Sequence, residues 1–241
     1  MTAIQNALRE RIRPGYAATL AGFFKTGPGE YGAGDRFLGV RIADIREVAR
    51  MAHRRTSVAG LLGSSWHEDR LLGLLVLVRR FETGDEEARA EVVRFYLANT
   101  GRINNWDLVD ISAHQILGSW LATRPRGVLT RLARSRNLWE RRIAVVATYA
   151  FIRTGELADT FRLCRVLLRD REDLMHKACG WMLREAGKRD LGALEEFLDA
   201  HGPAMPRTML RYAIERFPAA RRSEILHGQG VRCHPNRSCR K

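Results

Sequence analysis

The chain has 241 residues, and its 41 Lys+Arg against 27 Asp+Glu leave a formal net charge of +14. Hydrophobic residues make up 45% and charged residues 28%, a balance that excludes a wholly disordered chain and leaves ample material for a core. The longest nearly uninterrupted apolar stretch, Ile143 to Ile152, falls well short of the roughly 20 residues of a bilayer span, and the charged N-terminus MTAIQNALRERIRPG lacks the apolar centre of a secretory signal, so a cytoplasmic protein without membrane contact is expected.

Apolar residues recur at spacings of three and four, and no alternating run is bounded by hairpin turns, so an all-α protein is predicted. In chain order, helices are predicted over residues 3–12, 43–54, 57–63, 67–82, 85–99, 105–122, 126–134, 137–153, 156–169, 172–188, 190–200 and 204–217, with Gly, Pro, Ser or Asn breaks between them. Between the first two lies the Gly-rich segment KTGPGEYGAGDRF, residues 25–37. It lacks the Lys-Ser/Thr ending and the strand-to-helix setting of a phosphate-binding loop, and its glycines need only mark sharp turns.

Three of the predicted helices share a pattern, a charged cluster ending in Arg or Lys followed by a long apolar stretch: HEDRLLGLLVLVRRF from 67, WERRIAVVATYAFIR from 139 and MHKACGWMLREAGK from 175. Arg70, Arg142 and Lys177 are 72 and 35 residues apart, about two periods and one, and the position one period after Arg70 falls on Asn105-Trp106-Asp107. A unit of that length predicts a HEAT-like solenoid of stacked antiparallel helix pairs, with the recurring cations on one concave, basic face. Any Arg-rich amphipathic helix would also produce similarities of this kind. Residues 1–227 are read as one such domain, and 228–241 as a disordered basic tail.

Only four of the basic residues are Lys (Lys25, Lys177, Lys188, Lys241), a skew that GC-rich coding can produce. The excess of positive charge points to a polyanionic partner, because a basic face gains affinity by releasing counterions from phosphates. Cys164 and Cys179 fall in apolar helical patterns and read as reduced, buried thiols. Cys233 and Cys239, beside His234, lack the Cys-x-x-Cys spacing of a strong zinc site. The seven His residues show no metal-ligand spacing, and no Ser sits in a nucleophile elbow. No metal or cofactor is expected.

Within NNWDLVD, residues 104–110, Trp106 and Asp110 stand four positions apart and share a helix face. Asn105 suits a helix cap and Asp107 points elsewhere. An indole beside a carboxylate suits a ligand better than a core, although a half-buried Trp with a solvated Asp has the same spacing. Lys177 and Trp181, also four positions apart, place a cation and an indole on one face, and Trp106, Asp110, Arg142 and Trp181 together would suit a sugar phosphate.

At these residues the chain resembles the AlkD-like family of DNA alkylation repair glycosylases, built from HEAT-like repeats. The resemblance runs from about Phe23 to Phe217 and rests on FKTGPGEYGAGDRFLGV, INNWDLVD, NLWERRIA and HKACGWMLREAGK. It implies that Trp106 and Trp181 pack on the lesion's deoxyribose, that Asp110 is the catalytic carboxylate and that Arg142 contacts the DNA backbone. Lys177, Arg70, Arg184 and Arg211 are the further cations expected to face duplex DNA carrying alkylated purines. The implied reaction is hydrolysis of the N-glycosidic bond of cationic N3- or N7-alkylpurines by a monomer, without a lyase step, with the base held outside any cavity. The alternatives are a non-catalytic HEAT-repeat protein that binds damaged or branched DNA, and a HEAT-type protein-interaction module.

Overall fold

The computed structural model describes residues 2–227; the tail read over 228–241, with Cys233, His234 and Cys239, lies outside the described residues. Among the described residues there is no strand, and one isolated bridge pairs Arg36 with Trp66. The chain divides into two compact units, Met1–Arg124 and Pro125–Lys241.

The first unit contains α1 (Ala3–Arg9), α2 (Tyr16–Phe23), α3 (Ile42–Arg50), α4 (Val58–Leu62), α5 (His67–Thr83), α6 (Glu86–Ala98), α7 (Trp106–Asp110) and α8 (Ser119–Leu121). The central helix is α5, on which α3, α4 and α6 pack. Its apolar residues, among them Leu72, Leu74 and Leu77, are buried on several sides, as expected of a helix surrounded by others. Asp85 caps α6 by accepting from the Ala88 N–H at 3.0 Å, and Asn105 caps α7 by accepting from the Trp106 N–H at 2.9 Å.

The second unit contains α9 (Gly127–Ala133), α10 (Leu138–Ala147), α11 (Tyr149–Arg153), α12 (Ala158–Val166), α13 (Asp173–Gly187), α14 (Leu191–His201), α15 (Arg207–Ala213) and α16 (Ala219–Leu226). Here α9 pairs with α10, and α13 packs against α10, α12, α14 and α15. The predicted all-α class holds, and the packing of successive helices within each unit is that of a helical-repeat solenoid.

Several predicted elements change, among them the helix expected over 137–153, which divides into α10 and α11. The helix expected over 105–122 is interrupted after α7 and continues through a π turn, His114–Gly118, closed by the Gly118 N–H donating to the Ala113 carbonyl at 2.9 Å. Beside this break the Ser112 hydroxyl bonds back to the Leu108 carbonyl at 2.6 Å and meets the buried Tyr96 hydroxyl at 3.0 Å, a competition with the helix ladder that bends helices. Two helices, α2 and α16, were not predicted. The sequence of α2, YAATLAGF, has no polar face and starts on Gly15 without a capping side chain, so it carries neither periodicity nor a start signal; α16 begins directly after Pro218.

α13 and α15 approach closely at Gly180. A Cβ there would lie 2.5 Å from the Met209 carbonyl oxygen and 2.5 Å from the Tyr212 Cβ on α15. Gly180→Ala is therefore expected to lower stability by about 1–3 kcal/mol through overpacking, read as a lower thermal midpoint by circular dichroism. Gly127→Ala, whose Cβ would meet nothing within 4 Å, should leave the midpoint unchanged or slightly raised.

Candidate active site and its buried support

Four consecutive ionisable residues open α5, and all four are buried: His67, Glu68, Asp69 and Arg70. Each is satisfied differently. The Glu68 carboxylate accepts from the backbone N–H groups of Leu38, Gly39 and Val40 at 2.8, 2.8 and 3.2 Å. Gly39 has a φ of +89°, and a Cβ there would lie 2.9 Å from the Ala17 nitrogen, so this turn accepts glycine alone without strain. Asp69 takes a forked bond from Arg9 at 3.1 and 3.0 Å, and a hydroxyl from Ser64 at 2.8 Å, which ties α1 to α5.

Arg70 is 4% exposed, and its guanidinium donates to Asp35 and to the Ser64 carbonyl. The expectation that Arg70 faces DNA is thus corrected: its charge is spent on a carboxylate in the core. His67 stands between two carboxylates, with Nδ1 on Asp35 at 2.8 Å and Nε2 on Asp107 at 2.8 Å. Burial alone would push the imidazole pKa down, but the hydrogen bonds and charges of Asp107 and Asp35 outweigh it and raise the pKa from 6.5 to about 9. Burial likewise opposes ionisation of Asp35, and His67 and Arg70 more than reverse this, so its carboxyl lies below the usual range.

This clamp reaches the helix that bears the expected catalytic pair. Asp107, the second residue of α7, receives His67 on one oxygen and the Leu108 N–H on the other at 2.9 Å. Trp106 lies stacked on Phe24, with centroids 5.2 Å apart at 24°, and edge-on to Phe23 at 5.8 Å. The stack continues from Phe24 to Phe37 at 5.1 Å and from Phe37 to His67 at 4.6 Å. One turn beyond Trp106, Asp110 is half-buried. Burial raises the pKa of the nearby Tyr96 hydroxyl and the Asp110 charge adds to that rise, while the Ser112 hydrogen bond opposes it.

In the second unit Arg142 is 5% exposed and donates to the Leu174 carbonyl at 2.7 Å, so the open, groove-facing position expected for it is not observed. Trp181 is half-buried on α13, with the Tyr149 ring 6.0 Å away. Lys177 pairs with Asp173 at 2.9 Å, Arg184 pairs with Glu185 and Glu215, and Arg211 is exposed. The inference that the cations of successive units recur on one open surface therefore fails at Arg70 and Arg142, because a charged cluster at a helix start can be an interior network.

The sequence reading offered no base-sized pocket, yet the first unit contains a cavity of about 430 Å³ with Trp106 in its wall. Phe23, Phe24, Phe37, Asp35, His67 and Asp107, which build this side of the site, were all missed. The available signal was an acid in the Gly-rich segment and a second acid beside Trp106, both matched by one His at a helix start.

The model of the DNA alkylation repair enzyme family matches residues 4–217. The chain belongs to that family. A solved structure described as a predicted DNA alkylation repair enzyme from Enterococcus faecalis is similar to this family member, with 15% identity and a TM-score of 0.69 over 87% of this chain and 98% of that one; at that identity the likeness is one of fold. No curated protein matches the chain significantly. Among the described residues of this DNA alkylation repair family member, no helix is long and apolar enough to cross a membrane.

Because the His67 pKa is raised on folding, its contribution to stability is fully present below the unfolded value of 6.5 and is lost as pH rises through about 9. Urea midpoints measured from pH 6 to pH 10 should fall across that window. In His67→Gln the fall should flatten, and stability at pH 7 should drop by about 3–5 kcal/mol, since Asp35 and Asp107 lose the buried cation they share.

Proposed function

We propose that this protein is a monofunctional DNA glycosylase that hydrolyses the N-glycosidic bond of cationic N3- or N7-alkylated purines in duplex DNA. Family membership supports a role in DNA alkylation repair. The observation that carries the finer reading is the pair Trp106 and Asp110, a half-buried indole and carboxylate one turn apart on α7, at the positions where the family resemblance expects the sugar-facing indole and the catalytic acid.

The chemistry fits these groups. Alkylation at N3 or N7 places positive charge on the purine, which makes it a good leaving group with little need of acid assistance. As the C1′–N bond lengthens, positive charge builds on the deoxyribose, as in glycoside hydrolysis. An ionised Asp110 stabilises that charge and orients or deprotonates the attacking water. The faces of Trp106 and, by the same resemblance, Trp181 attract the developing cation. Water supplies the hydroxyl at C1′, the base leaves with the bonding pair, and an abasic site remains in an uncut strand. Lys177, Arg184 and Arg211 are proposed phosphate contacts of the second unit.

The decisive measurement is release of 3-methyladenine or 7-methylguanine from methylated duplex by the purified protein. Release is expected from the wild type, and Asp110→Asn should lower its rate by at least about 100-fold while duplex binding is kept. Binding without release by the wild type would assign the protein to the non-catalytic DNA binders, and undiminished release by Asp110→Asn removes Asp110 from the mechanism.

Arg142 allows a separate check, because its guanidinium is buried against Leu174. If it contacts a phosphate in the complex, Arg142→Ala should weaken binding and reduce the slope of log affinity against log salt by about 0.9. An unchanged slope with a lower thermal midpoint would make Arg142 a strut between α10 and α13.

A further inference from the structure

Two turns of the second unit are built alike, and both present open arginines. Arg134-Ser135-Arg136-Asn137 leads into α10, and Arg169-Asp170-Arg171-Glu172 leads into α13. They stand 35 residues apart, the spacing that also relates Arg142 to Lys177. In each turn the middle side chain accepts from the backbone N–H two residues on, Ser135 Oγ from Asn137 at 3.0 Å and Asp170 Oδ1 from Glu172 at 3.0 Å. In each, the middle carbonyl also accepts from the side chain six residues on, Ser135 from Arg141 at 3.1 Å and Asp170 from His176 Nε2 at 2.7 Å. Successive helix pairs thus repeat one turn, hydrogen bond for hydrogen bond.

Arg141 joins the two turns. Its guanidinium donates to the Ser135 and Arg136 carbonyls at 3.1 and 3.0 Å, and forks onto the Asp170 carboxylate at 2.6 and 3.1 Å. Asp170 keeps only 4% of its side chain exposed, so its charge is spent on Arg141 and does not offset its neighbours. Arg134, Arg136, Arg169 and Arg171 are exposed, and among the described residues none of them makes an ion pair. Of the nearby acids, Asp173 pairs with Lys177 at 2.9 Å, Glu140 is half-buried and Glu172 is exposed. Positive charge therefore remains in surplus at this edge. Like charges gathered on adjoining turns repel, and a run of linked phosphates relieves that repulsion while releasing its own counterions. The planar fork of a guanidinium fits phosphate oxygens in pairs.

We propose that the two Arg-x-Arg turns dock the sugar-phosphate backbone of duplex DNA, undamaged as well as damaged, at the edge of the second unit where α10 and α13 begin, with Arg141 as the positioning residue. The inference rests on the DNA ligand of the glycosylase reading. It adds to Lys177, Arg184 and Arg211 a site on loops that holds the duplex whether or not a lesion is present.

The test is binding of a short unmodified duplex to the full chain, followed by fluorescence anisotropy between about 50 and 200 mM salt. Arg134→Gln/Arg136→Gln and Arg169→Gln/Arg171→Gln should each reduce the slope of log affinity against log salt by about 1–2. Arg46→Gln/Arg94→Gln removes the same charge from exposed positions of α3 and α6, and should reduce it by less than about 0.5. Arg141→Lys keeps the net charge but cannot hold a carboxylate and two carbonyls together, so binding should weaken about threefold or more. Polyglutamate at equal charge concentration should not displace the duplex. Unchanged slopes in both paired variants, an equal change in the control pair, or displacement by polyglutamate, as an acidic protein segment would displace it, overturns the proposal; unchanged affinity in Arg141→Lys overturns its positioning role. Because the probe carries no lesion, the two readings fail separately. Binding that depends on the four arginines, without methylpurine release by the wild type, leaves the edge standing and removes the glycosylase; release with unchanged slopes removes the edge alone.

Discussion

A charged imidazole in a protein interior is expensive to desolvate, and its presence between Asp35 and Asp107 constrains everything around it. The three groups come from the Gly-rich segment, the start of α5 and the start of α7, which are far apart in sequence. Once His67 is protonated, neither carboxylate can leave without stranding a buried charge. α7 is too short to hold its own direction by helix propagation. Its orientation comes from Asp107 on His67 at one end and from the π turn and the Tyr96–Ser112 contact at the other. Trp106 and Asp110 are therefore aimed by the core of the first unit.

The same logic changes the meaning of the arginine excess. A codon bias can raise the Arg count, but several of these side chains perform tasks that lysine could not. Arg9 forks onto Asp69, and Arg141 forks onto Asp170. A planar guanidinium with several donors can serve two acceptors at fixed angles, and an ammonium on a flexible stem cannot hold that geometry. The strongly positive chain thus uses part of its cationic side chains as internal struts.

Stacked rings connect this electrostatic frame to the proposed chemistry. From Trp106 through Phe24 and Phe37 to His67 the rings lie face against face, so the indole proposed to meet the sugar is backed by a column that ends on a cation. Phe24, Phe37 and His67 are buried along that column, and burial strengthens the interactions of nearby charges. A carboxylate one turn from Trp106 favours a group that becomes positive, as the proposed reaction requires.

Much of this was legible in the residues. The three-and-four spacing of apolar residues determined an all-helical chain, because a helix buries a stripe at that period whatever packs on it. The spacing of Trp106 and Asp110 placed them on one face for the same local reason, and Asn105 declared its cap. The helix α2 was illegible, since a nearly uniform apolar segment has no face to reveal. The fate of the HEDR cluster was also undecided: four ionisable residues at a helix start look alike whether they meet water or partners. Only the tertiary structure brought Asp35 and Asp107 to His67 and Arg70, turning an expected DNA contact into a core ion pair, and only it enclosed a cavity beside Trp106. Periodicity reports neighbours three or four residues away; the charge and shape of a buried site depend on groups from distant segments, which no local pattern records.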